Sequence, residues 1–487
     1  MNSAKAGSAF VGRDRELAQL RAAFDRPFPS ISVVYGRRRI GKSVLIGKAL
    51  ENRPALFFEG LENQSTSAQL SSFCLQLDRQ SETVRTGDVP KTWRDAFLLL
   101  EPILKTTPAC VVLDEFQWLA NYRSAAVSDL KMVWEQYLSR IPGVSLVLCG
   151  SIASFMLKKV VKGSALYGRT DRVIHLRDFS LAETAKMLPD YGTDELLDAY
   201  MILGGVPKYQ ELLRDYPSVY LAIEDMAFRE NGFLVDEFDR IFVSHFGRNA
   251  DYARIVGALA RHPYGMFRQE LSKAAGVDLG GGLSRNLNDL ESAGFVRSVK
   301  PISRPLNSKL IKYLLSDAYL RFFYSLMRPE LALIRSGHST LRFPSLAQKP
   351  RFHSWRGRAF EMMGMQHAPA IARELGFHGI EYSFGPYFRA PRSDAKGVQV
   401  DLVFDRADNV LTLCEMKCSR NPIGKGGVDD VEAKAALLRE AFPRKTIQSV
   451  LLCHGSVTDL VTRSPYVHRV LGARTLIDCP SQATSSS

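Results

Sequence analysis

Apolar residues in this chain fall into short runs bounded by glycine and polar clusters, and between the runs they recur at helical spacing. Ile31–Tyr35, Ala55–Phe58, Cys110–Leu113, Ser145–Cys149 and Val173–Leu176 are almost wholly apolar and predict buried strands. Amphipathic stretches at Arg15–Phe24, Gln69–Leu77, Trp93–Leu104 and Asp129–Arg140 predict the helices between them. Strands alternating with helices argue for a parallel sheet covered on both faces. Residues 178–240 read as mainly helical and acidic. Beyond them, Asp251–Arg261, Phe267–Ala275 and Leu283–Ser292 predict three helices, the third following Gly280-Gly281-Gly282 with leucines at 283, 287 and 290. Phe295–Lys300 and Leu310–Leu315 then predict a hairpin, which completes the order of a winged helix-turn-helix. In the last third, Trp355–Glu374 predicts a helix, and Val398–Phe404 and Leu411–Lys417 predict two strands joined by a turn at Asp405–Asn409.

Composition adds limits. The 487 residues allow about three domains, and 46% apolar with 24% charged residues is ordinary globular composition. No run approaches the ~18 apolar residues of a membrane span, and the first residues lack the apolar core of a secretory signal. Seven scattered cysteines do not make a disulfide framework, and Cys110, Cys149, Cys414 and Cys453 sit in apolar runs that would bury them reduced. A cytoplasmic enzyme or regulator with no membrane contact is the expectation. Residues 241–350 carry 16 basic and 7 acidic side chains, a local +9 within the chain's +13. Such a segment suits either DNA or a solubilising surface. Arg285, Asn286 and Asn288 on the third helix would face a groove, with Arg297, Lys300 and Arg304 on the wing reaching phosphates. A winged helix can also dock protein.

The sharpest chemistry is Gly36-Arg37-Arg38-Arg39-Ile40-Gly41-Lys42-Ser43, which satisfies G-x-x-x-x-G-K-[ST] between a predicted strand and a predicted helix. Its glycines would let backbone N–H groups wrap ATP phosphates at a helix N-terminus. Lys42 would reach the β- and γ-phosphates and Ser43 would ligate Mg²⁺. Cys110–Leu113 ends in Asp114 and Glu115, one for the Mg²⁺ shell and one to orient or deprotonate the attacking water. Ser151, after another strand, would sense the γ-phosphate or cap a helix.

A second set lies near the C-terminus. Period-two alternation puts Glu415 and Lys417 on one strand face, and the hairpin would bring Asp401 to them, with Glu361 arriving from the preceding helix. Carboxylates beside a lysine can hold Mg²⁺ and cleave phosphodiesters. They can also be a charged sheet edge. Glu432-Ala433-Lys434 repeats the Glu-x-Lys pattern on a predicted helix.

Phe10-Val11-Gly12-Arg13, the triple-arginine loop, Asp114-Glu115-Phe116-Gln117, Tyr167-Gly168-Arg169 and Asp317-Ala318-Tyr319-Leu320-Arg321-Phe322 together resemble the archaeal-type P-loop ATPases of the STAND/AAA+ side. The resemblance implies that Val11 and Gly12 contact nucleotide, that Pro207 of Gly205-Val206-Pro207 approaches adenine, and that Arg169 senses γ-phosphate. A structural ion pair is the other reading of Arg169. An arginine supplied in trans would come from a second copy, so a homo-oligomer is also expected. Asp401 followed by Glu415-Met416-Lys417 resembles the PD-(D/E)xK nucleases, which implies a catalytic set of Glu361, Asp401, Glu415 and Lys417, with the Met416 carbonyl reaching the metal.

The expected fold class is α/β: a P-loop NTPase core (1–177), helical lid (178–240), winged helix (241–335), linker (336–351), restriction-endonuclease-like domain (352–480) and disordered tail (481–487). The expected function is an ATP-hydrolysing switch that controls Mg²⁺-dependent DNA cleavage, in defence or mobile-element biology. The alternative is an ATP-dependent DNA-binding regulator whose C-terminal domain does not cut.

Overall fold

The computed structural model describes residues 10–478 apart from 83, 85, 122–123, 164–165, 248, 303–310 and 390–397. Arg304 and the 481–487 tail lie outside the described residues. The chain divides into two compact units, residues 1–178 and 179–487.

In the first unit, β1 (Ser30–Tyr35), β2 (Ala55–Glu59), β3 (Cys110–Asp114), β4 (Ser145–Gly150) and β5 (Arg172–His175) form a sheet in the order β2-β3-β4-β1-β5. Every pairing is parallel. β1 and β4 are buried at every position, which is why their sequences are apolar runs and not alternating ones. One face packs against the Thr66–Gln80, Trp93–Leu98 and Ala126–Gln136 helices, the other against the Asp14–Phe24 and Lys42–Ala49 helices. The single helix expected over 93–104 breaks at Leu99 into Trp93–Leu98 and Leu100–Thr106. Parallel register brings the strands' C-terminal ends together: Tyr35 lies beside Gly150, and Glu59 beside Asp114.

The second unit opens with helices from Leu181 to Phe246. The Ala250–Arg261, Arg268–Ala275 and Gly281–Ser292 helices follow, with β6 (Met266–Phe267), β7 (Val296–Val299) and β8 (Lys312–Leu315) in the antiparallel order β6-β8-β7. Two of the three glycines expected to precede the third helix lie inside it. The last sheet runs β13-β12-β11-β10-β9, from β9 (Tyr382–Arg389), β10 (Val398–Arg406), β11 (Val410–Cys418), β12 (Thr446–His454) and β13 (Arg469–Gly472). β9, β10 and β11 are antiparallel, and the Lys425–Ala441 helix crosses over to make β12 parallel to β11. Among the described residues no helix is long and apolar enough to cross a membrane.

Residues 336–351 are not a free linker. Phe343 opens the short Phe343–Leu346 helix, is fully buried, and donates its N–H to Glu224 Oε2 at 2.6 Å. The Pro350–Gln366 helix starts before the expected boundary. Its Arg356 Nε lies 2.5 Å from Asp198 Oδ1, and the two side chains are 8% and 1% exposed. The Tyr220 hydroxyl donates to the other Asp198 oxygen at 2.5 Å. Removing one member leaves a buried charge unpaired, so Arg356→Met is expected to cost about 3–5 kcal/mol. Asp198→Leu in the same chain should recover much of that loss, as measured by urea unfolding. Additive losses would show that the pair is not a unit.

Candidate functional site

Between β1 and the Lys42–Ala49 helix the chain passes through Gly36 (φ 155°), Arg39 (φ 73°) and Gly41 (φ 83°), positive-φ positions that turn the backbone into the helix N-terminus as a phosphate-binding loop requires. A Cβ on Gly36 would stand 2.2 Å from the Leu176 carbonyl oxygen. Lys42 is buried and donates its Nζ to the Arg37 carbonyl at 3.0 Å, so the ammonium lies across the loop. Ser43 Oγ donates to Asp114 Oδ2 at 2.6 Å, joining the loop to the end of β3.

Glu115 sits in the left-handed region (φ 47°), a strained setting for a non-glycine residue at a strand end. Ser151 Oγ donates to Glu115 Oε2 at 2.7 Å, and Gln117 Nε2 donates to the same oxygen and to Ser151 Oγ at 3.0 Å. The Ser151 N–H closes the ring by donating to Gln117 Oε1 at 3.2 Å. Gly150 leaves room for this: a Cβ there would meet Gln117 Oε1 at 2.7 Å. Ser151 is therefore part of a polar network around the candidate base. Gln117 was legible only as a motif residue, with no role attached.

The flanking arginines are engaged in ion pairs. Arg37 Nε lies 3.5 Å from Asp178 Oδ1, and Arg38 Nη2 lies 2.8 Å from Glu62 Oε2. Arg169 pairs with Glu135 and donates to the Tyr167 carbonyl at 3.1 Å, as a structural ion pair would. Ile40 is buried, and Val11 and Gly12 lead into a left-handed turn at Gly12 and Arg13. In the second unit, Pro207 opens the Pro207–Leu213 helix. Gly205 has a packing reason of its own, since a Cβ there would lie 1.9 Å from the Phe179 carbonyl oxygen.

The C-terminal residues converge. Leu402 pairs with Cys414, so Asp401 and Glu415 lie one step further along the same ladder, at an irregularity in the β9–β10 register. Glu361 comes from the Pro350–Gln366 helix. Gly364, one turn on, lets that helix press onto β11: a Cβ there would be 2.3 Å from Met416 Sδ. Burial, reinforced by Asp401 and Glu415, pushes the Glu361 carboxyl up to about 8. Burial and then Glu415 push Asp401 up to about 6. Lys417 Nζ lies 3.1 Å from Glu415 Oε1 and 2.7 Å from Asp430 Oδ2. Burial alone would lower the Lys417 ammonium, but these two acids more than offset it and hold it above its ordinary value.

The second Glu-x-Lys copy also reaches this site: Lys434 Nζ donates to Glu415 Oε2 at 2.5 Å. Asp430 and Lys434 are four apart on one helix, and that spacing was the available signal. Among the described residues, no three His, Cys, Asp or Glu side chains are gathered as a ready-made metal cage.

The basic segment is placed differently from expectation. Arg285 and Asn288 are exposed on the Gly281–Ser292 helix, whereas Asn286 is 5% exposed and points inward. Arg297 stands over the Phe384 ring of β9 at 5.8 Å, and Lys300 packs its carbonyl against Gly385. The next N–H, that of Ile302, donates to the Pro386 carbonyl at 3.0 Å only two residues on. The end of β7 and the residues after it therefore rest on the C-terminal sheet.

Glu361 and Asp401 hold protons more tightly in the folded chain than in the unfolded one, where carboxyls titrate near 4. The folded state binds more protons between about pH 4 and about pH 8, so stability falls as pH rises through that window. Glu361→Gln is expected to match wild type in thermal unfolding near pH 4 and to exceed it by several degrees near pH 9. Equal midpoints at both pH values would refute the buried-acid account.

Residues 10–213 match the family described as an ATPase domain predominantly from Archaea. An uncharacterized protein of Methanocaldococcus jannaschii is 26% identical over 331 residues, covering 67% of this chain and 71% of that one. Among solved structures, the Walker-type ATPase of Pyrococcus abyssi is 18% identical with a TM-score of 0.47, covering 65% of this chain and 96% of its own. The ORC2 protein of Aeropyrum pernix is 16% identical with a TM-score of 0.41, covering 68% and 96%. The family match falls on the residues that carry the phosphate loop, the strand-end acids and the Ser151 network, so residues 10–213 are similar to an archaeal-type P-loop ATPase domain.

Proposed function

We propose that the chain is an ATP-driven switch that binds DNA through residues 241–335. One observation carries the switch. Arg37 of the phosphate loop grips Asp178, and the next residue, Phe179, donates its N–H to the Gly205 carbonyl at 2.7 Å and accepts from the Tyr200 hydroxyl at 3.0 Å. A phosphate that draws Arg37 inward competes with Asp178, at the point where the chain passes from one unit into the next. Mg²⁺ fits beside the nucleotide, since Ser43 Oγ and Asp114 offer hard oxygens 2.6 Å apart, in keeping with an ion that takes few protein ligands. Bound there, it would neutralise phosphate charge. Glu115 is the group to orient or deprotonate the attacking water. DNA contact rests on the exposed Arg285 and Asn288 and on the local +9.

A second reading, metal-dependent phosphodiester cleavage, is favoured by the convergence of Glu361, Asp401 and Glu415 with Lys417 and Lys434. The sheet order, with an antiparallel β9-β10-β11 and a parallel β12, supports a restriction-endonuclease-like domain. Likewise the β6-β8-β7 sheet behind three helices supports a winged helix. Glu361 and Asp401, whose charge burial discourages, are groups that a divalent cation would relieve. When bound, the ion would lower the pKa of a water and polarise a phosphate. Lys417 and Lys434, held by Glu415, would steady charge on the phosphate oxygens.

Glu115→Gln is expected to lower ATP turnover by about 10²–10⁴ with nucleotide binding retained, as read by a phosphate-release assay beside equilibrium binding. Retained turnover would exclude Glu115 as the base. DNA affinity should fall steeply with added salt, and Arg285→Ala should flatten that slope by about one counterion. A salt-independent or absent affinity would remove DNA as the partner. In a plasmid assay with Mg²⁺ or Mn²⁺, cutting that disappears in Asp401→Ala would establish cleavage. DNA binding without cutting would leave the regulatory reading alone.

A further inference from the structure

A cavity of about 320 Å³ opens in the second unit between the 241–335 segment and the C-terminal domain. Its walls come from both: Leu314 and Arg321 from one side, Trp355, Met362 and Phe388 from the other, with Glu361 and Asp401 also on its lining. The volume falls at the lower end of small-molecule sites, and the lining is the usual mixture of aromatic and apolar walls with a few convergent polar groups.

Arg321 is the anomaly. Its Nε and Nη1 are buried and have no hydrogen-bond partner. The nearest acid, Asp317, spends Oδ1 on capping its own helix through the Leu320 N–H at 2.7 Å. Burial pulls the guanidinium down to about 10, only partly offset by Asp317. Two buried guanidinium nitrogens without a hydrogen-bond partner are costly, and an anion in the cavity would complete them. Arg261 and Arg358 add two more cations to the lining.

We propose that this cavity is a binding site for a nucleoside monophosphate group, free or as the phosphorylated end of a strand, with its phosphate on Arg321 and its base between Trp355, Phe388 and Met362. Planar guanidinium suits bidentate pairing with phosphate, and aromatic walls stack on any base. The site is separate from the ATP loop and does not need the carboxylates to be catalytic. Because both segments wall it, occupancy also ties them together.

The test uses the full chain carrying Lys42→Ala, which silences the phosphate loop, and measures binding of thymidine 5′-monophosphate by calorimetry in EDTA and in Mg²⁺. Thymidine and a short 5′-phosphorylated oligothymidylate are run alongside. The expected result is that the monophosphate binds under both conditions and that thymidine does not. Arg321→Leu and, independently, the cavity-filling Met362→Trp should each weaken binding by about tenfold or more. An oligothymidylate that binds tighter than the monophosphate identifies a strand end as the ligand, and one that binds no tighter identifies the free nucleotide. The proposal is overturned if nothing binds at millimolar concentration, or if both variants bind as the parent does. Binding that vanishes in EDTA yet survives Arg321→Leu would place the phosphate on the carboxylates and overturn it as well.

Discussion

The second unit depends on a charge pair that neither partner could tolerate alone. Arg356 and Asp198 come from helices far apart in sequence, and both are taken out of water at the point where they meet. Desolvating two ions is repaid only when geometry and additional hydrogen bonds are good, and Tyr220 supplies one of those bonds. Nearby, the buried His367 donates from Nδ1 to the Met363 carbonyl and accepts the Leu181 N–H on Nε2, the pattern of a neutral ring. Its basicity is lowered by burial, which keeps that tautomer in place. These contacts fix residues 179–240 against the Pro350–Gln366 helix. The lid and nuclease-like segments read from sequence as separate domains therefore belong to one compact body.

The same packing changes the meaning of the net charge. A surplus of +9 in residues 241–350 looks like a surface for an anion. Much of it is met by the protein's own acids and aromatic rings. Arg335 pairs with Asp236 and Asp239, and Arg342 lies within 3.6 Å of Glu224. Lys312 stands 3.8 Å above the Phe388 ring, where burial lowers its ammonium. Arg297 covers Phe384. Arg285 remains outward, and Arg321 is half-buried with Nε and Nη1 lacking a hydrogen-bond partner. Counting charge along a chain cannot separate these fates, because cation–π contact and ion pairing are set by which elements meet.

What was legible in the sequence follows from how local each feature is. The phosphate loop could be read because strand, glycine turn and helix are contiguous, and the positive φ of Gly41 is written in its residue type. The β10–β11 hairpin could be read because period two and a short turn ending at Asn409 (φ 66°) fix which acids share an end. β9, β12 and β13 were missed, although β12 is nearly all buried, because short apolar runs do not reveal their partners. Lys434 was set aside for the same reason, since its meeting with Glu415 depends on a crossover helix and not on neighbouring residues. Asn286 was placed outward by its polarity, but the helix turns it in with Leu283, Leu287 and Leu290.

The two acidic sites stand in opposite electrostatic conditions, and that difference sets what each requires of a cation. At the phosphate loop, Asp114 accepts from Ser43 and from the Glu115 N–H at 2.8 Å, so its charge is already solvated by donors. There a cation brought by a nucleotide adds to a site that is satisfied without it. At the C-terminal site Glu361 and Asp401 face each other and Glu415 across a buried space, and both ammonium groups within reach are drawn to Glu415. Of the remaining two acids, Glu361 is pushed up to about 8 and holds its proton into the neutral range, while Asp401 is pushed up to about 6. Under the cleavage reading, a divalent ion entering there would have to displace the Glu361 proton, so its affinity would rise with pH. The chain thus holds one acid site whose charge is met by hydrogen-bond donors and another in which burial raises two carboxyls and lysines meet the third.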